Sequence, residues 1–238
     1  PALVCVMFAN NETGIVQPIK KISEIVRKYN SYLFCDAVQA YGKIKINFNE
    51  LDIHFMALSA HKIGGFPGSG ALIINESIKK IAPITLGGGQ EFGLRGGTEN
   101  LIGITAFGEC AKLIDEICSE NQKLKEYINI LEKNIESFGG FIFGGNSQRL
   151  PNTSLFAFPN IKADTMLIKL DLAGYSVSSG SACSSGKVKK SHVLEAMKFD
   201  DKISSNAIRI SLGWATKKSH ITNLLNFFED VFNKTVLE

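Results

Sequence analysis

Hydrophobic and polar positions in the first part of the chain alternate in blocks that predict strands and helices in turn. Apolar runs at residues 3–8 and 32–35 have the length and composition of strands. Between them, Pro18 opens an amphipathic segment with isoleucine and valine side chains on one face, which predicts a helix. A strand, helix and strand with short joints favour a parallel sheet with a right-handed crossover. We therefore predict an α/β domain here.

The second half of the chain has a different order of elements. Asn100 can cap a helix that runs to about Phe138, and Gly139 and Gly140 end it. Beyond it, apolar and amphipathic runs predict strands at residues 141–143, 153–158 and 208–212, and helices at residues 163–173 and 219–236. This order favours a smaller α+β domain. We place the division so that the two domains are residues 1–117 and 118–238.

A lysine lies in a glycine-rich loop between two further apolar runs. Residues 54–58 and 71–74 are typical of strands, and the loop between them contains Lys62 together with Gly64, Gly65, Gly68 and Gly70. A lysine held between two buried strands, where glycine lets the backbone approach closely, suits a Schiff base with a carbonyl compound. The alternative is an exposed hairpin with a solvated lysine, and this stretch alone fits both.

Polar side chains follow three of the predicted strands. Asn11, Asp36 and Ser59 each come after an apolar run, at the carboxyl end of its strand. In parallel α/β sheets, ligands bind beyond the carboxyl ends of the strands. We therefore expect these three side chains to converge on one edge of the sheet, next to Lys62.

One cysteine has an unusual sequence environment. Cys183 lies in Ser178-Ser-Gly-Ser-Ala-Cys-Ser-Ser-Gly186, a run of small residues, and it is followed by Lys187, Lys189, Lys190 and His192. A packing cysteine would have bulky apolar neighbours, so we predict an exposed, mobile segment. Nearby positive charge would favour the thiolate. The alternative is a plain flexible linker with an incidental cysteine.

Composition limits the class of protein. Of the 238 residues, 45% are hydrophobic and 21% charged, which is enough for a sizeable core, and a net charge of +3 gives no support for nucleic-acid binding. No apolar stretch approaches the length of a membrane span.

The cysteines indicate neither a disulfide framework nor a metal site. Because the five cysteines are odd in number and form no Cys-x-x-Cys pair, we expect no disulfide framework and no metal site. Cys5, Cys35 and Trp214 are expected to be buried, and a cytoplasmic location or an organelle matrix such as the mitochondrial one fits best.

Six motifs, in order along the chain, carry a resemblance to a known family. They are Asn10-Asn-Glu-Thr-Gly14, Asp36-Ala-Val-Gln39, Ser59-Ala-His-Lys62, Arg95-Gly-Gly-Thr-Glu-Asn100, Ser179-Gly-Ser-Ala-Cys-Ser184 and Arg209-Ile-Ser-Leu-Gly213. Together they resemble the cysteine desulfurases of iron–sulfur cluster assembly, in the class V aminotransferase group of pyridoxal-phosphate (PLP) enzymes. The cysteine motif resembles the subgroup with a long mobile loop. The resemblance implies the PLP-dependent transferase fold type I, a mostly parallel sheet flanked by helices plus a smaller α+β domain.

The resemblance also implies residues that bind the cofactor. Lys62 resembles the lysine that forms the Schiff base with PLP and then carries the α-proton as base and acid. Asp36 resembles the aspartate that pairs with the pyridinium nitrogen, and Gln39 the donor to the ring oxygen. Ser59 and His61 resemble residues that hold the phosphate.

Other positions carry over to the substrate and to sulfur transfer. Thr98 resembles a phosphate contact supplied from the other subunit of a homodimer, and Arg209 the fork that clamps the substrate carboxylate. Asn11 would lie near that carboxylate and the ring oxygen. Cys183 resembles the nucleophile that takes sulfur from L-cysteine as a persulfide, leaving L-alanine.

The family's PLP domain begins before the position equivalent to Pro1. The part before it normally supplies a phosphate-binding turn and a ring-stacking histidine, so we read this chain as a fragment with an incomplete sheet. The implied partners are an iron–sulfur scaffold or another sulfur acceptor. Two alternatives stay open: a related PLP lyase or aminotransferase, such as a selenocysteine lyase, and an inactive fragment that only binds assembly partners.

Overall fold

The computed structural model describes residues 1–180 and 190–235. The chain forms two compact units. The first unit contains Pro1–Ala9 and Gln17–Cys118, and the second contains Asn10–Val16 and the chain from Ser119 onward. The short segment Asn10–Val16 therefore leaves the first unit and joins the second before the chain returns. The boundary placed between residues 117 and 118 stays a prediction.

The first unit is built on a mixed sheet. Its described strands are β1 (Leu3–Met7), β2 (Tyr32–Asp36), β3 (Phe55–Ser59) and β4 (Gly70–Ile74), in that spatial order. The pairs β1–β2 and β2–β3 are parallel, and β3–β4 is antiparallel. Helix α1 (Ile19–Lys28) connects β1 to β2, and α2 (Phe48–Leu51) precedes β3. The predicted α/β class is therefore confirmed.

Two strands of this sheet are more exposed than their apolar sequences predict. In β1, Leu3, Cys5 and Met7 are exposed, so the prediction of a buried Cys5 is wrong, whereas Cys35 on β2 is buried as predicted. In β4 the first three residues are exposed, so Lys62 does not lie between two buried strands. Both strands lie at an edge of the described sheet, where one strand pairs on one side only.

Helices α3 (Leu101–Lys112) and α4 (Ile114–Ser137) form the long helical region that the sequence predicts, with its break at Leu113. The side chain of Asn100 caps α3 by accepting a 3.1 Å hydrogen bond from the backbone N–H of Gly103. After α4, Gly139 adopts a φ of +77°, a conformation that glycine takes without strain.

The second unit has an antiparallel sheet with helices. Its described strands are β5 (Phe141–Ile142), β6 (Thr153–Ala157), β7 (Ser178–Ser179) and β8 (Ala207–Ser211), in the order β5-β6-β8-β7. Its helices after α4 are α5 (Ala163–Leu172), α6 (His192–Ala196), α7 (Asp201–Ser204) and α8 (Lys218–Thr235). A core of Leu131, Ile135, Phe156, Met166 and Phe228 joins α4, α5 and α8 to the sheet. This is the predicted α+β arrangement. Within the described residues, no helix is long and apolar enough to cross a membrane.

Candidate active site

In the first unit, Asp36 and Ser59 end two neighbouring parallel strands. Asp36 is the last residue of β2 and lies opposite Ala57 of β3, so Ser59 is two residues further along the neighbouring strand. The half-buried Asp36 carboxylate accepts a 3.0 Å hydrogen bond at Oδ1 from the backbone N–H of Val38. The structure thus brings these two predicted residues to the same carboxyl edge of the sheet, where ligands bind in α/β folds.

Lys62 lies on a tight turn that follows β3. Ala60–Lys62 forms one turn of 3₁₀ helix, with Ala60 buried and both His61 and Lys62 exposed. Ser59 Oγ and His61 Nδ1 are 2.8 Å apart and share a hydrogen bond whose direction depends on the ring tautomer. Among the residues that the structure describes, Lys62 makes no ion pair or side-chain hydrogen bond, so its amine is available for chemistry.

Two glycines after Lys62 pack closely on the backbone that leads to it. A Cβ atom at Gly70 would lie 2.6 Å from the carbonyl oxygen of Leu58, and one at Gly65 would lie 3.1 Å from that of Ala60. At Gly70 the contact is shorter than a real Cβ atom makes, so the backbone of β3 would have to shift, whereas at Gly65 the backbone of Ala60 would have to give only slightly. The glycine content of the loop therefore has a steric reason, because the loop packs closely on the strand that leads to Lys62.

Gln39 is oriented by a neighbouring lysine. Lys43 Nζ donates a 2.7 Å hydrogen bond to Gln39 Oε1. Because an ammonium group can only donate, this contact assigns the amide oxygen to the lysine side and leaves the Gln39 NH₂ group as a donor. That orientation suits the predicted role of Gln39, which is to donate to an oxygen of a ligand.

Thr98 lies on a separate loop of the first unit, which spans residues 87–100. Gly96 N–H donates a 2.8 Å hydrogen bond to the carbonyl oxygen of Thr85, and this closes the base of the loop. At its tip, Phe92 has a φ of +58° and is 99% exposed. Thr98 is exposed and has no hydrogen bond to the Lys62 turn in the described part of the chain.

In the second unit, the guanidinium group of Arg209 is held by two residues. Arg209 lies on β8, where Nη1 donates a 2.8 Å hydrogen bond to the carbonyl oxygen of Asn11 and Nη2 donates a 3.3 Å bond to Ser178 Oγ. Its Nε is buried and has no hydrogen-bond partner among the described residues. A guanidinium has five N–H donors in a planar fork. Arg209 therefore keeps Nε–H and further N–H groups for a bidentate partner such as a carboxylate.

Asn11 is positioned by the turn Asn10-Asn-Glu-Thr-Gly14. Asn10 Oδ1 accepts hydrogen bonds of 2.9 Å from the backbone N–H groups of both Glu12 and Thr13. Gly14 adopts a φ of +73°, and its carbonyl oxygen accepts a 2.8 Å bond from Leu150 N–H. These bonds fix the backbone around Asn11, so the carbonyl that holds Arg209 has a defined direction.

Two residues of the second unit were missed by sequence reasoning. Glu12 is only 3% exposed, and its Oε2 accepts a 2.5 Å hydrogen bond from Ser191 Oγ. Ser191 is also buried and caps α6 through a 3.1 Å bond from Leu194 N–H. The available signal was that Glu12 is the charged residue of an otherwise neutral turn motif, and a buried carboxylate is uncommon without a partner.

Cys183, Lys187 and Lys189 lie outside the described residues. The next lysine, Lys190, is described. It forms ion pairs with Asp201 at 2.8 Å and Glu195 at 3.4 Å, and the hydrogen bond to Asp201 is the largest of the effects that raise the pKa of its ammonium group. The charge of Lys190 is therefore shared with two carboxylates, which reduces the positive field around its ammonium group.

Each unit thus carries part of the predicted site. The first unit holds Asp36, Gln39, Ser59, His61, Lys62 and Thr98, and the second holds Asn11 and Arg209.

Within the described residues, no three His, Cys, Asp or Glu side chains are grouped so as to hold a metal ion. Burial, and then the charge of Asp36, raise the pKa of the Cys35 thiol to about 12, which makes this cysteine chemically inert at neutral pH.

Comparison with known proteins places the chain among homologues. It is 39% identical to "Cysteine desulfurase IscS" of Dictyoglomus turgidum over 98% of this chain and 59% of the relative. Among solved structures, a NifS-like protein from Rickettsia africae matches with a TM-score of 0.88 and 37% identity, covering 97% of this chain and 62% of that one. A structure described as "SspA in complex with cysteine" matches with a TM-score of 0.72 and 28% identity, covering 89% of this chain and 58% of that one.

The chain therefore spans about three fifths of the length of these relatives, between 58% and 62%. The family model described as "Aminotransferase class-V" matches residues 1–224, which is nearly the whole chain. This chain belongs to the aminotransferase class-V family.

Proposed function

We propose that the protein containing this chain is a PLP-dependent cysteine desulfurase. The observation that supports it most is the position of Lys62, which has no ion pair or side-chain hydrogen bond among the described residues, close in sequence to the Ser59–His61 pair and on the sheet edge where Asp36 also lies. Relatives named cysteine desulfurase and a solved relative in complex with cysteine point to the same reaction. The products of this reaction are L-alanine and a sulfur atom held as a persulfide.

The residues of the first unit fit PLP by their chemistry. PLP presents an aldehyde, a ring nitrogen, a ring hydroxyl and a phosphate, which call for an amine, a carboxylate and several hydrogen-bond donors. Lys62 supplies the amine, Asp36 the carboxylate, and Gln39 a donor whose orientation is set by Lys43. Ser59 and His61 are hydrogen-bonded to each other and form a polar pair for the phosphate, with Thr98 as a contact to the phosphate of a second copy.

The chemistry that PLP supplies when bound is to withdraw electrons from the substrate Cα. In this protein, the Lys62 amine would carry the α-proton of the substrate as base and acid. The Arg209 fork, supported by Asn11 and Ser178, binds the substrate carboxylate.

Cys183 completes the reaction as the nucleophile. Its thiolate attacks the sulfur of the substrate cysteine, so that an S–S bond forms while the Cβ–S bond breaks. The electron pair of the broken bond stays with Cβ, which is protonated to give alanine, so no external oxidant is needed. An ordinary transaminase has no use for such a thiol, and this favours the desulfurase over the aminotransferase.

The first unit has a surface that supports a homodimer. Several large apolar side chains there are exposed, and they belong to the segment from Ile84 to Ile104 and the hairpin before it: Phe66, Leu72, Ile84, Leu86, Phe92, Leu101 and Ile102. Exposed apolar side chains of this number favour a protein interface. We propose that a second copy of the protein covers them.

We also propose that the persulfide sulfur passes to an iron–sulfur scaffold or another acceptor protein. The reaction takes place in the cytoplasm.

The experiment that tests this function measures sulfur on the protein itself. The purified protein is mixed with PLP and L-cysteine without oxygen or added thiol, and peptides are analysed by mass spectrometry. We expect one additional sulfur atom on the Cys183 peptide only when PLP is present, together with L-alanine. Bound PLP without added sulfur would contradict the desulfurase and favour another PLP reaction, and absence of PLP binding would leave a chain that serves only as a partner.

A further inference from the structure

The ammonium group of Lys43 selects one of the two orientations that the Gln39 amide can adopt. Lys43 Nζ donates a 2.7 Å hydrogen bond to Gln39 Oε1. An ammonium group has three donors and no acceptor, so it cannot accept a bond from the Gln39 NH₂ group. The reversed amide would bring two sets of N–H donors together. The Gln39 NH₂ group is therefore left on the side that faces away from Lys43.

The backbone between these two residues is held by hydrogen bonds of the helical type. The Ala37 carbonyl oxygen accepts bonds of 2.9 Å from the N–H groups of both Ala40 and Tyr41. The Ala40 carbonyl oxygen accepts a 3.0 Å bond from Lys43 N–H, and both alanines are fully buried. On such a turn, residues four positions apart lie on the same face. Gln39 and Lys43 have that spacing, so the backbone brings their side chains together.

The same turn begins at Asp36, the residue proposed for the ring nitrogen of PLP. Asp36 Oδ1 accepts the 3.0 Å bond from Val38 N–H, which ties the carboxylate to the start of the turn. The side chains of Asp36, Gln39 and Lys43 are all half-buried. A hydrogen bond that is partly removed from water is stronger than an exposed one, because less water competes for its partners. The Lys43 contact therefore belongs to the turn that would carry two of the cofactor's partners.

A donor at the ring oxygen of PLP changes how firmly lysine-bound PLP holds its proton. In that state the Schiff-base nitrogen and the ring oxygen are neighbours and share one proton. An N–H group that donates to the ring oxygen stabilises its negative charge, so the oxygen attracts the shared proton less. A reversed Gln39 amide would present its carbonyl oxygen there instead and would supply no donor. The orientation of Gln39 thus has a consequence that can be measured as a proton affinity.

We propose that Lys43 is a positioning residue that keeps the Gln39 NH₂ group directed to the ring oxygen of PLP, and so lowers the proton affinity of lysine-bound PLP. The inference rests on the proposed function, because it needs PLP at the sheet edge of the first unit. Lys43 acts here through Gln39. Loss of the Lys43–Gln39 bond therefore changes the protonation of the cofactor and weakens its binding.

The test compares variants of the PLP-loaded protein that remove the donor and the amide separately. Lys43→Met removes the ammonium group and keeps a long side chain, whereas Lys43→Arg keeps a group that can only donate. Gln39→Leu removes the amide, and the double variant Lys43→Met with Gln39→Leu shows whether Lys43 acts through it. Lys45→Met is the matched control, because Lys45 is an exposed lysine of the same segment and has no hydrogen bond to Gln39 in the described chain.

Two quantities are measured for each variant. The proton affinity of lysine-bound PLP comes from its visible absorbance at saturating PLP as the pH is varied, and the affinity for PLP comes from equilibrium dialysis. We expect Lys43→Met to raise the proton affinity about three- to tenfold and to weaken PLP binding by a similar factor, which is the size of one ordinary hydrogen bond. Lys43→Arg and Lys45→Met should stay within about twofold of the parent. Addition of Lys43→Met to Gln39→Leu should change either quantity less than about twofold.

Other titratable groups near this turn are the same in the parent and in the Lys43 variants. They are the groups that interact on the turn and those placed at the cofactor in the proposed function: Tyr41, Asp115, Cys118, Asp36 and His61. Because none of them differs between these proteins, a difference between the titrations reports the loss of Lys43.

The outcomes separate this inference from the proposed function. If the parent shows no absorbance of lysine-bound PLP, the function fails, and the inference fails with it. If the parent shows it and Lys43→Met titrates as the parent does, the function stands and the role of Lys43 is wrong. An equal rise in the Gln39→Leu background would show that Lys43 acts by its charge alone, and an equal rise in Lys45→Met would show a general effect of surface charge. Either result overturns the inference.

A second substitution keeps the test decisive if Lys43→Met does not fold. The amide of Lys43→Gln can both donate and accept, so it no longer selects one orientation of Gln39. This variant should show the same direction of change in both quantities. Parent values in Lys43→Gln would refute the role of Lys43.

Discussion

Arg209 Nη1 and the carbonyl oxygen of Asn11 form a 2.8 Å hydrogen bond between residues 198 positions apart. The bond directs the guanidinium group while its Nε stays buried and unpaired within the described chain. A buried donor without a partner costs free energy, and a carboxylate ligand would remove that cost. The proposed binding of an amino-acid substrate through its carboxylate is consistent with this arrangement.

Arg209→Lys should weaken binding of the amino acid more than binding of PLP. A lysine supplies one point charge where the guanidinium supplies a fork, and the loss of a charge-assisted hydrogen bond corresponds to about ten- to a hundredfold in KM. Titration with L-alanine and with PLP would measure the two affinities. Arg149→Lys is the control arginine in the same unit, since its fork is already occupied by Glu132. An unchanged KM for L-cysteine in Arg209→Lys would refute the role of Arg209.

Lys62→Ala should abolish the visible absorbance of lysine-bound PLP without unfolding the protein. Lys62 is exposed and unpaired among the described residues, so its removal breaks no packing contact there. Absorbance and thermal unfolding of the same sample would show the two effects separately. Lys79→Ala provides the control, because Lys79 is an exposed lysine of the same unit. Persistence of the absorbance in Lys62→Ala would assign the cofactor to another lysine.

Cys183→Ser should keep the PLP absorbance but stop sulfur release. A hydroxyl is a far weaker nucleophile than a thiolate towards the sulfur of the substrate. Sulfide released after mixing with L-cysteine and a reducing thiol gives the measurement. Cys5→Ser is the matched control, because Cys5 is an exposed thiol of the described chain and has no predicted role. Sulfide release at the parent rate by Cys183→Ser would show that another group is the nucleophile.

Stability should fall in mildly acidic solution because of His54. This buried imidazole accepts a 3.0 Å hydrogen bond at Nδ1 from Leu33 N–H, and burial, followed by the nearby charge of Arg27, lowers its pKa from 6.5. The unfolded chain therefore binds more protons just below pH 6.5 than the folded one, so the free energy of unfolding decreases as the pH falls through that interval.

Urea unfolding of the parent and of His54→Gln, at pH values from 5 to 8, measures this effect. His54→Gln cannot titrate, so its stability should depend less on pH than that of the parent, whatever its absolute value. His192→Gln, at an exposed histidine, is the matched control and is measured in parallel. Identical pH dependence in the parent and in His54→Gln would exclude His54 as its source.

Glu132→Ala should destabilise the second unit strongly. Glu132 forms a bidentate pair with Arg149 at 2.6 and 2.7 Å and also accepts a 2.6 Å hydrogen bond from Ser154 Oγ. The side chains of Arg149 and Glu132 are only 12% and 13% exposed. Removal of one ion leaves the other buried and unpaired, which costs about 3–5 kcal/mol. Glu109→Ala, which breaks an exposed pair with Lys112, should cost less than about 1 kcal/mol in the same unfolding assay. Equal losses would contradict the importance of the buried pair.

The elements of the fold could be predicted from sequence because periodicity reports local structure. The helix cap at Asn100 follows from residues that lie next to one another. Burial could not be predicted equally well. An apolar run such as β1 has the same sequence whether or not another element covers it, and Cys5 and Trp214 are both exposed against expectation.

The positions of candidate site residues within a motif could be predicted from the sequence. The contacts between residues of different motifs could not. The positions of Asp36, Ser59 and Lys62 follow from strand ends and a glycine-rich loop, although their functional roles stay predictions. Glu12 and Ser191 are adjacent only in the folded unit, across 179 positions, and no local pattern reports such a pair. The role of Cys183 also stays a prediction, since this residue lies outside the described chain.

The membership of Asn10–Val16 in the second unit has a consequence for folding during synthesis. Ser191 and Arg209, which bond to Glu12 and Asn11, are made 179 and 198 positions after their partners. The second unit therefore cannot be completed as a contiguous piece of chain, and contacts of such long range form slowly. A separately expressed segment from Ser119 onward would lack this turn, and the seven missing residues would have to be supplied in trans as a peptide.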